Sequence, residues 1–231
     1  MLDIATAARL DARRAVDAGH LTLSDPGIGL FDACIRAGAP MVFTPSMRIL
    51  EIGCCEADWL HQAHRTWPGI EFAGIDTRAL DVLDGDGKVR RMKADARHTE
   101  QFPPAFFDAV VSLSAIEHIG LGHYGDPVDP DGDTQAMANV FRWLKPGGWV
   151  YFDVPYNPTG YLVKDTEYRV YDDDALFERL WMQPLADAKA RARWLWTGYV
   201  HATAPRDLIE KPTVPSTPFY YCPMVFQKVS A

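Results

Sequence analysis

Three acidic residues stand at or just after short apolar runs. Glu51 lies inside the run 47–52, Asp76 follows 70–75, and Asp95 follows the weaker run 88–92. The first run passes directly into Gly53-Cys54-Cys55, a turn of small residues through which backbone amides can approach a ligand closely. Asp76 comes 23 positions after Gly53, where a carboxylate suits a bidentate grip on ribose hydroxyls. Asp95, with Ala96 beside it, offers an acceptor for an adenine amino group. A lone acidic residue after a strand is ordinarily a helix cap. The order and spacing of the three together point instead to one ligand edge.

The elements that must position these groups follow from the apolar pattern. Runs at 47–52, 70–75, 88–92, 107–113 and 149–154 read as strands. Helical stretches fall between them at 59–66, briefly near 77–83, weakly near 97–101 and strongly at 133–144. Continuous apolar strands alternating with helices predict βαβ units and a parallel sheet covered on both faces. Ligands of such sheets bind outside the carboxyl ends of the strands, where all three acidic groups converge. Further along, a helix is expected near 172–182. Two aromatic-rich runs, 194–201 and 219–229, are expected to pair antiparallel at one sheet edge. Prolines at 205, 212, 215, 218 and 223 mark an ordered loop between and into them. At the front, residues 1–20 read as a surface helix and 28–37 as a second, short one after the turn signal Ser24-Asp25-Pro26-Gly27. The expected organisation is an N-terminal helical extension (1–45) before the main domain (46–231).

On these residues the chain resembles the class I S-adenosylmethionine-dependent methyltransferases. The matching stretches are R-I-L-E-I-G-C-C-E-A (48–57), G-I-D (74–76), K-A-D-A (93–96), F-D-A-V-V-S-L-S-A-I-E-H-I (107–119) and L-K-P-G-G-W-V (144–150). The resemblance implies a Rossmann-like, doubly wound α/β fold with a mostly parallel seven-stranded sheet whose last strand is antiparallel. It implies S-adenosylmethionine as cofactor. Gly53 would then approach its methionine part, Asp76 its ribose and Asp95 its adenine, with Leu113 and Ser114 beside the methionine and sulfonium; Glu51, Cys54, Cys55, Thr77 and Ala96 would complete the cofactor site. One departure stands out: Cys55 and Ala57 occupy positions where the family usually has glycine, and a cysteine resists positive φ. The segment 114–126, with its E-H-x-G-L-G-x-Y-G-D pattern, also looks like a methyltransferase-like subgroup of unknown function, some members of which are suspected of acting in glycan biosynthesis.

Methyl transfer is an in-line displacement at a sulfonium, so the protein must position a nucleophile and take its proton. His118, just after the fourth strand, can accept a hydroxyl proton near neutral pH. Glu117 can orient it or touch the cofactor, and His123, with Tyr124, is a second candidate. The alternative is that Glu117 and His118 cap and pack their turn. Asp126, Asp129, Asp131 and Asp133 place four carboxylates in eight residues, a composition suited to a divalent cation. The full calcium-loop pattern is absent, a metal ligand set stays open, and Asp133 also suits the N-cap of the following helix. Tyr156, Asn157, Tyr161 and Tyr168 are candidates for an acceptor pocket or for loop packing.

The expected activity is methyl transfer to an oxygen of a small or sugar-like acceptor. The rival is a non-catalytic binding or structural subunit on the same fold. An oxidoreductase is a third reading, raised by Gly120, Gly122 and Gly125 in a G-x-G-x-x-G pattern, but that pattern does not follow the first strand or open a helix. Composition narrows the partners. The 231 residues carry 31 acidic against 23 basic side chains, net −8, which disfavours nucleic acid as a partner through the bulk field. No apolar run reaches the roughly 18 residues of a membrane span, and the charged N-terminus does not read as a signal peptide. These features read as a cytoplasmic protein with reduced, mostly buried thiols and no Cys-x-x-Cys metal spacing. Homo-oligomerisation stays open, through the aromatic runs.

Overall fold

The computed structural model describes residues 26–55, 59–78, 82–83, 89–204, 207–216 and 219–230. The helix expected at 1–20 and the Ala57 position lie outside them. The strands, in chain order, are β1 (Arg48–Ile52), β2 (Glu71–Asp76), β3 (Val82–Leu83), β4 (Val89–Lys93), β5 (Phe107–Ser112), β6 (Leu144–Tyr156), β7 (Leu162–Lys164), β8 (Tyr168–Val170), β9 (Arg191–Thr197), β10 (Val200–His201) and β11 (Tyr220–Val229). Among the described residues, one sheet runs in the order β10-β11-β6-β5-β1-β2-β4-β3, with β9 also paired to β11. β7 and β8 form a separate hairpin.

β4, β2, β1, β5 and β6 are parallel. β11 is antiparallel to β6 and to β9, so the two aromatic-rich runs do pair at that side of the sheet. β11 itself is interior there, between β6 and β9. The chain winds outward from β1 through β2 to β4, then returns to place β5 on the other side of β1. That reversal makes the gap between β1 and β5 the switch point where such sheets bind ligands.

Both faces of the sheet are covered. Alternate residues divide between two cores, Ile49, Ala109, Val111 and Tyr151 facing one and Leu50, Val110, Val150 and Phe152 the other. This explains why the central strands read as unbroken apolar runs. Helices Pro26–Arg36 and Trp59–Thr66 cover the first face. Phe31 sits there edge-on to Phe43, Trp59 and Tyr151 at centroid distances of 4.9 to 6.3 Å, so this helix shares one core with the sheet. Helix Gly132–Trp143 and the helical run from Asp173 to Ala188 cover the second.

Three expectations change. Val82–Leu83 is a strand antiparallel to β4, not the end of a helix from 77, and residues 79–81 are outside the described set. The weak helix near 97–101 is a single 3-10 turn, Thr99–Gln101. Asp133 is not an N-cap: helix Gly132–Trp143 begins one residue earlier, and the Asp133 carboxylate is buried in ion pairs. No described helix is long and apolar enough to cross a membrane.

Candidate functional site

A cleft of about 270 Å³ opens at the carboxyl ends of β1, β2, β4 and β5. Of the residues singled out from sequence, Gly53, Asp76, Thr77, Asp95, Ala96, Leu113, Ser114, His118, Tyr124 and Asp126 line it. Glu51, Cys54, Cys55, Glu117 and His123 do not. Gly53 has φ +85°, and a Cβ there would stand 2.4 Å from the Ala115 Cβ. Only glycine allows this contact between the turn after β1 and the turn after β5. Cys54 faces away from the cleft, buried against Gly74, and burial together with Glu51 and Asp76 pushes its thiol up to about 12. Cys55 is exposed and does not take positive φ. The strain anticipated for Cys55 therefore does not arise, because among the described residues of this turn Gly53 carries the left-handed conformation.

The two carboxylates are bracketed in the same way. Asp76 accepts from the backbone N–H of Arg78 at 2.8 Å and from its guanidinium at 3.2 and 3.3 Å. Asp95 accepts from the Arg97 N–H at 2.9 Å and from its guanidinium at 2.6 to 3.1 Å. Burial alone would raise the Asp95 carboxyl, but the hydrogen bonds and charge of Arg97 outweigh it and hold it below the ordinary carboxylate range. Both arginines also reach the loop after β5. The Arg78 guanidinium lies 3.7 Å over the Tyr124 ring, and Arg97 donates to the Pro127 carbonyl at 2.6 Å. The Asp-x-Arg pattern stands in the sequence at 76–78 and 95–97, but pattern alone did not reveal its role.

The other half of the cleft is built on the ends of β5 and β6. Ser114 takes φ +47°, held there by Asp153 of β6, which accepts from its N–H at 3.1 Å and its hydroxyl at 2.5 Å. Glu117 is 1% exposed and one of its oxygens has no hydrogen-bond partner among the described residues. Burial first, and the nearby Asp153 second, push its carboxyl well above the ordinary value, so it favours the neutral form. His118 Nδ1 lies 2.6 Å from the Glu167 carbonyl. A carbonyl only accepts, so Nδ1 carries the proton and the neutral ring keeps its lone pair on Nε2. Nε2 is 3.9 Å from the Glu117 carboxyl. The rings of His123, Tyr124 and Tyr168 surround His118 at 5.4 to 6.1 Å. Of the four candidates for an acceptor pocket, Tyr168 alone is seen against His118. Tyr156 instead donates to Asp173, and Tyr161 packs on Tyr171 and Arg179. Tyr221, contributed by β11, also lines the cleft, and nothing in its local sequence signals that.

The four carboxylates of 126–133 are taken up by hydrogen bonds and ion pairs within the protein, two of them sharing Arg179. Asp126 accepts from the Gly120 N–H, Asp129 from Asp131 N–H and Gln135, Asp131 pairs with Arg179, and Asp133 takes Arg179 and Tyr171. Among the described residues, no group of three or more such side chains is arranged to hold a metal ion.

The family described as "Caenorhabditis protein of unknown function, DUF268" matches residues 88–173. A ubiquinone biosynthesis O-methyltransferase of Paracidovorax citrulli is 32% identical over 113 residues, 46% of this chain and 42% of that protein. The matched stretch is thus under half of that relative's length. The structure of Burkholderia thailandensis 1,6-didemethyltoxoflavin-N1-methyltransferase, with bound 1,6-didemethyltoxoflavin and S-adenosylhomocysteine, superposes with TM-score 0.57 at 13% identity, over 100% of this chain and 92% of the other. That of the [4+2]-cyclase SpnF superposes with TM-score 0.58 at 15% identity, over 99% and 97%. Likeness at such identity speaks for the fold and not for the reaction. With five parallel strands, a switch point between β1 and β5, and β11 antiparallel beside β6, this chain has the fold of the class I S-adenosylmethionine-dependent methyltransferases.

Proposed function

We propose that the chain is an S-adenosylmethionine-dependent methyltransferase that methylates an oxygen of a small or sugar-like acceptor. One observation carries this reading: Gly53, Asp76, Asp95 and His118, on four different strand ends, line a single cleft. The donor set fits the cofactor. Asp76 with Thr77 would hold the ribose, Asp95 with Ala96 the adenine, and Gly53, Leu113 and Ser114 the methionine end. When bound, this cofactor supplies a methyl group already activated on a sulfonium. The chain's own task is to orient an acceptor hydroxyl and take its proton at His118 Nε2. The neutral-ring tautomer set by Glu167 supports that role, as does a relative named for O-methylation. The site lies within 46–231, and we assign 1–45 as an N-terminal extension.

Calorimetric titration with S-adenosylmethionine and S-adenosylhomocysteine tests the reading. Micromolar binding, roughly −8 kcal/mol, is expected, followed by an acceptor screen that begins with nucleotide sugars. A folded sample that binds neither would favour the non-catalytic subunit instead. His118→Ala is expected to bind cofactor normally and lose about 10²-fold or more in turnover. Parental turnover in that variant would remove His118 as the base.

A further inference from the structure

Resting on the reading of His118 as base, we propose that Arg169 and its hairpin, β7–β8, form the positioning element that fixes the His118 tautomer. Arg169 is fully buried. Its guanidinium donates to the carbonyls of Glu117 at 3.2 Å and Ile119 at 2.7 Å, on either side of His118. It also donates to Asp129 and Pro130 carbonyls at 3.4 and 3.1 Å, and its Nε stands 3.5 Å from the Asp133 carboxylate. The planar fork thus ties the turn bearing His118 to the far end of the loop that carries His123 and Tyr124. Two residues earlier on the same hairpin, the Glu167 carbonyl accepts the His118 Nδ1 proton. One short element therefore fixes both the backbone under the imidazole and the partner of its ring. A general base needs its lone pair held on one nitrogen, and a second group bonded to the other nitrogen provides that. The hairpin turn is defined by Asp165 and Thr166, both exposed and both at positive φ, +46° and +63°, with Glu167 N–H donating to the Lys164 carbonyl.

The test is the tautomer of His118, read by long-range ¹H–¹⁵N correlation on the full chain with ¹⁵N-labelled histidine. Two variants are compared with the parent. Arg169→Lys keeps the charge and loses the fork. Asp165→Pro cannot adopt positive φ, so it breaks the turn at an exposed position and leaves the buried ion pairs in place. The parent is expected to show neutral His118 protonated at Nδ1 alone, and both variants a mixture of the two tautomers. S-adenosylhomocysteine affinity should stay within about twofold in Asp165→Pro, with the loss appearing in kcat rather than KM. A parent with the proton on Nε2, or a folded Asp165→Pro that retains the Nδ1 form, would overturn the proposal. A variant that merely loosens the fold would lower the unfolding midpoint without changing the tautomer, which also counts against it. Unchanged turnover in His118→Ala would sink the base reading while leaving the tautomer result to decide the positioning role by itself.

Discussion

Asp76 and Asp95, on the β1-β2-β4 side of the cleft, each meet an arginine two residues further along the chain. Asp153 and Asp133, which support the β5-β6 side, meet partners 39 and 46 residues away. The two pairs differ less in burial than in access: the Asp76 and Asp95 side chains are only 6% and 14% exposed, but they line the cleft. The second pair is fully buried, together with Glu117 and Arg169. Charges there are removed from water and repay that only through complete networks. One half of the cleft is thus held by local pairs at its lining, and the other by long-range pairs in the interior.

The widest separation between the halves is expected from Asp133→Ala. It strands Arg169 and the Tyr171 hydroxyl in the interior and takes a partner from the partly exposed Arg179, and urea unfolding should show a loss of about 3–5 kcal/mol. A loss below about 1 kcal/mol would mean the β5-β6 side is no more rigid than the bracketed one. Gly53→Ala probes the opposite half. Left-handed backbone and the collision with Ala115 should cost about 2 kcal/mol, and S-adenosylhomocysteine binding should weaken about tenfold or more. Parental affinity in a folded Gly53→Ala protein would break the assignment of this turn to the cofactor.

The last test reads a slope with pH rather than a single loss and sharpens the role of burial. Because the Glu117 carboxyl is raised in the fold, the native state holds a proton that the unfolded chain releases first. Stability from this group is complete below the ordinary carboxyl value and falls as pH rises toward the raised one, by at most about 1.4 kcal/mol per pH unit. Glu117→Gln should flatten that decline in unfolding experiments run from pH 4 to about 8. An identical slope in parent and variant would show that Glu117 is charged in the fold.

Much of the bracketed half is legible in the order of residues. Its groups follow directly on apolar runs, and a parallel strand buried on both faces announces itself as such a run. Asp76, Asp95 and Gly53 can be placed by counting from strand ends. The roles of Arg78 and Arg97 are also local, and the repeated Asp-x-Arg spacing is the signal that could have found them. The β5-β6 half is only partly legible. His118 and Glu117 stand out by type, but Asp133 looks like a helix cap, and nothing near Arg169 or Tyr221 marks them as neighbours of the site. The hairpin β7–β8 escapes notice because three-residue strands leave almost no periodicity to read. Cys55 misleads in the other direction, since it takes no positive φ and Gly53 does.

The α/β winding, the sheet edge where the cleft opens and the carboxylates Asp76 and Asp95 at its rim could be read from residue order alone, because they depend on hydrophobic period and on position at strand ends. The folded arrangement alone shows which nitrogen of His118 faces the Glu167 carbonyl, which carboxyl burial raises, and that Tyr221 of β11 joins the cleft lining. Those properties arise from contacts between segments 39 to 52 residues apart or more, and from burial, and neither leaves a mark on the local order of residues.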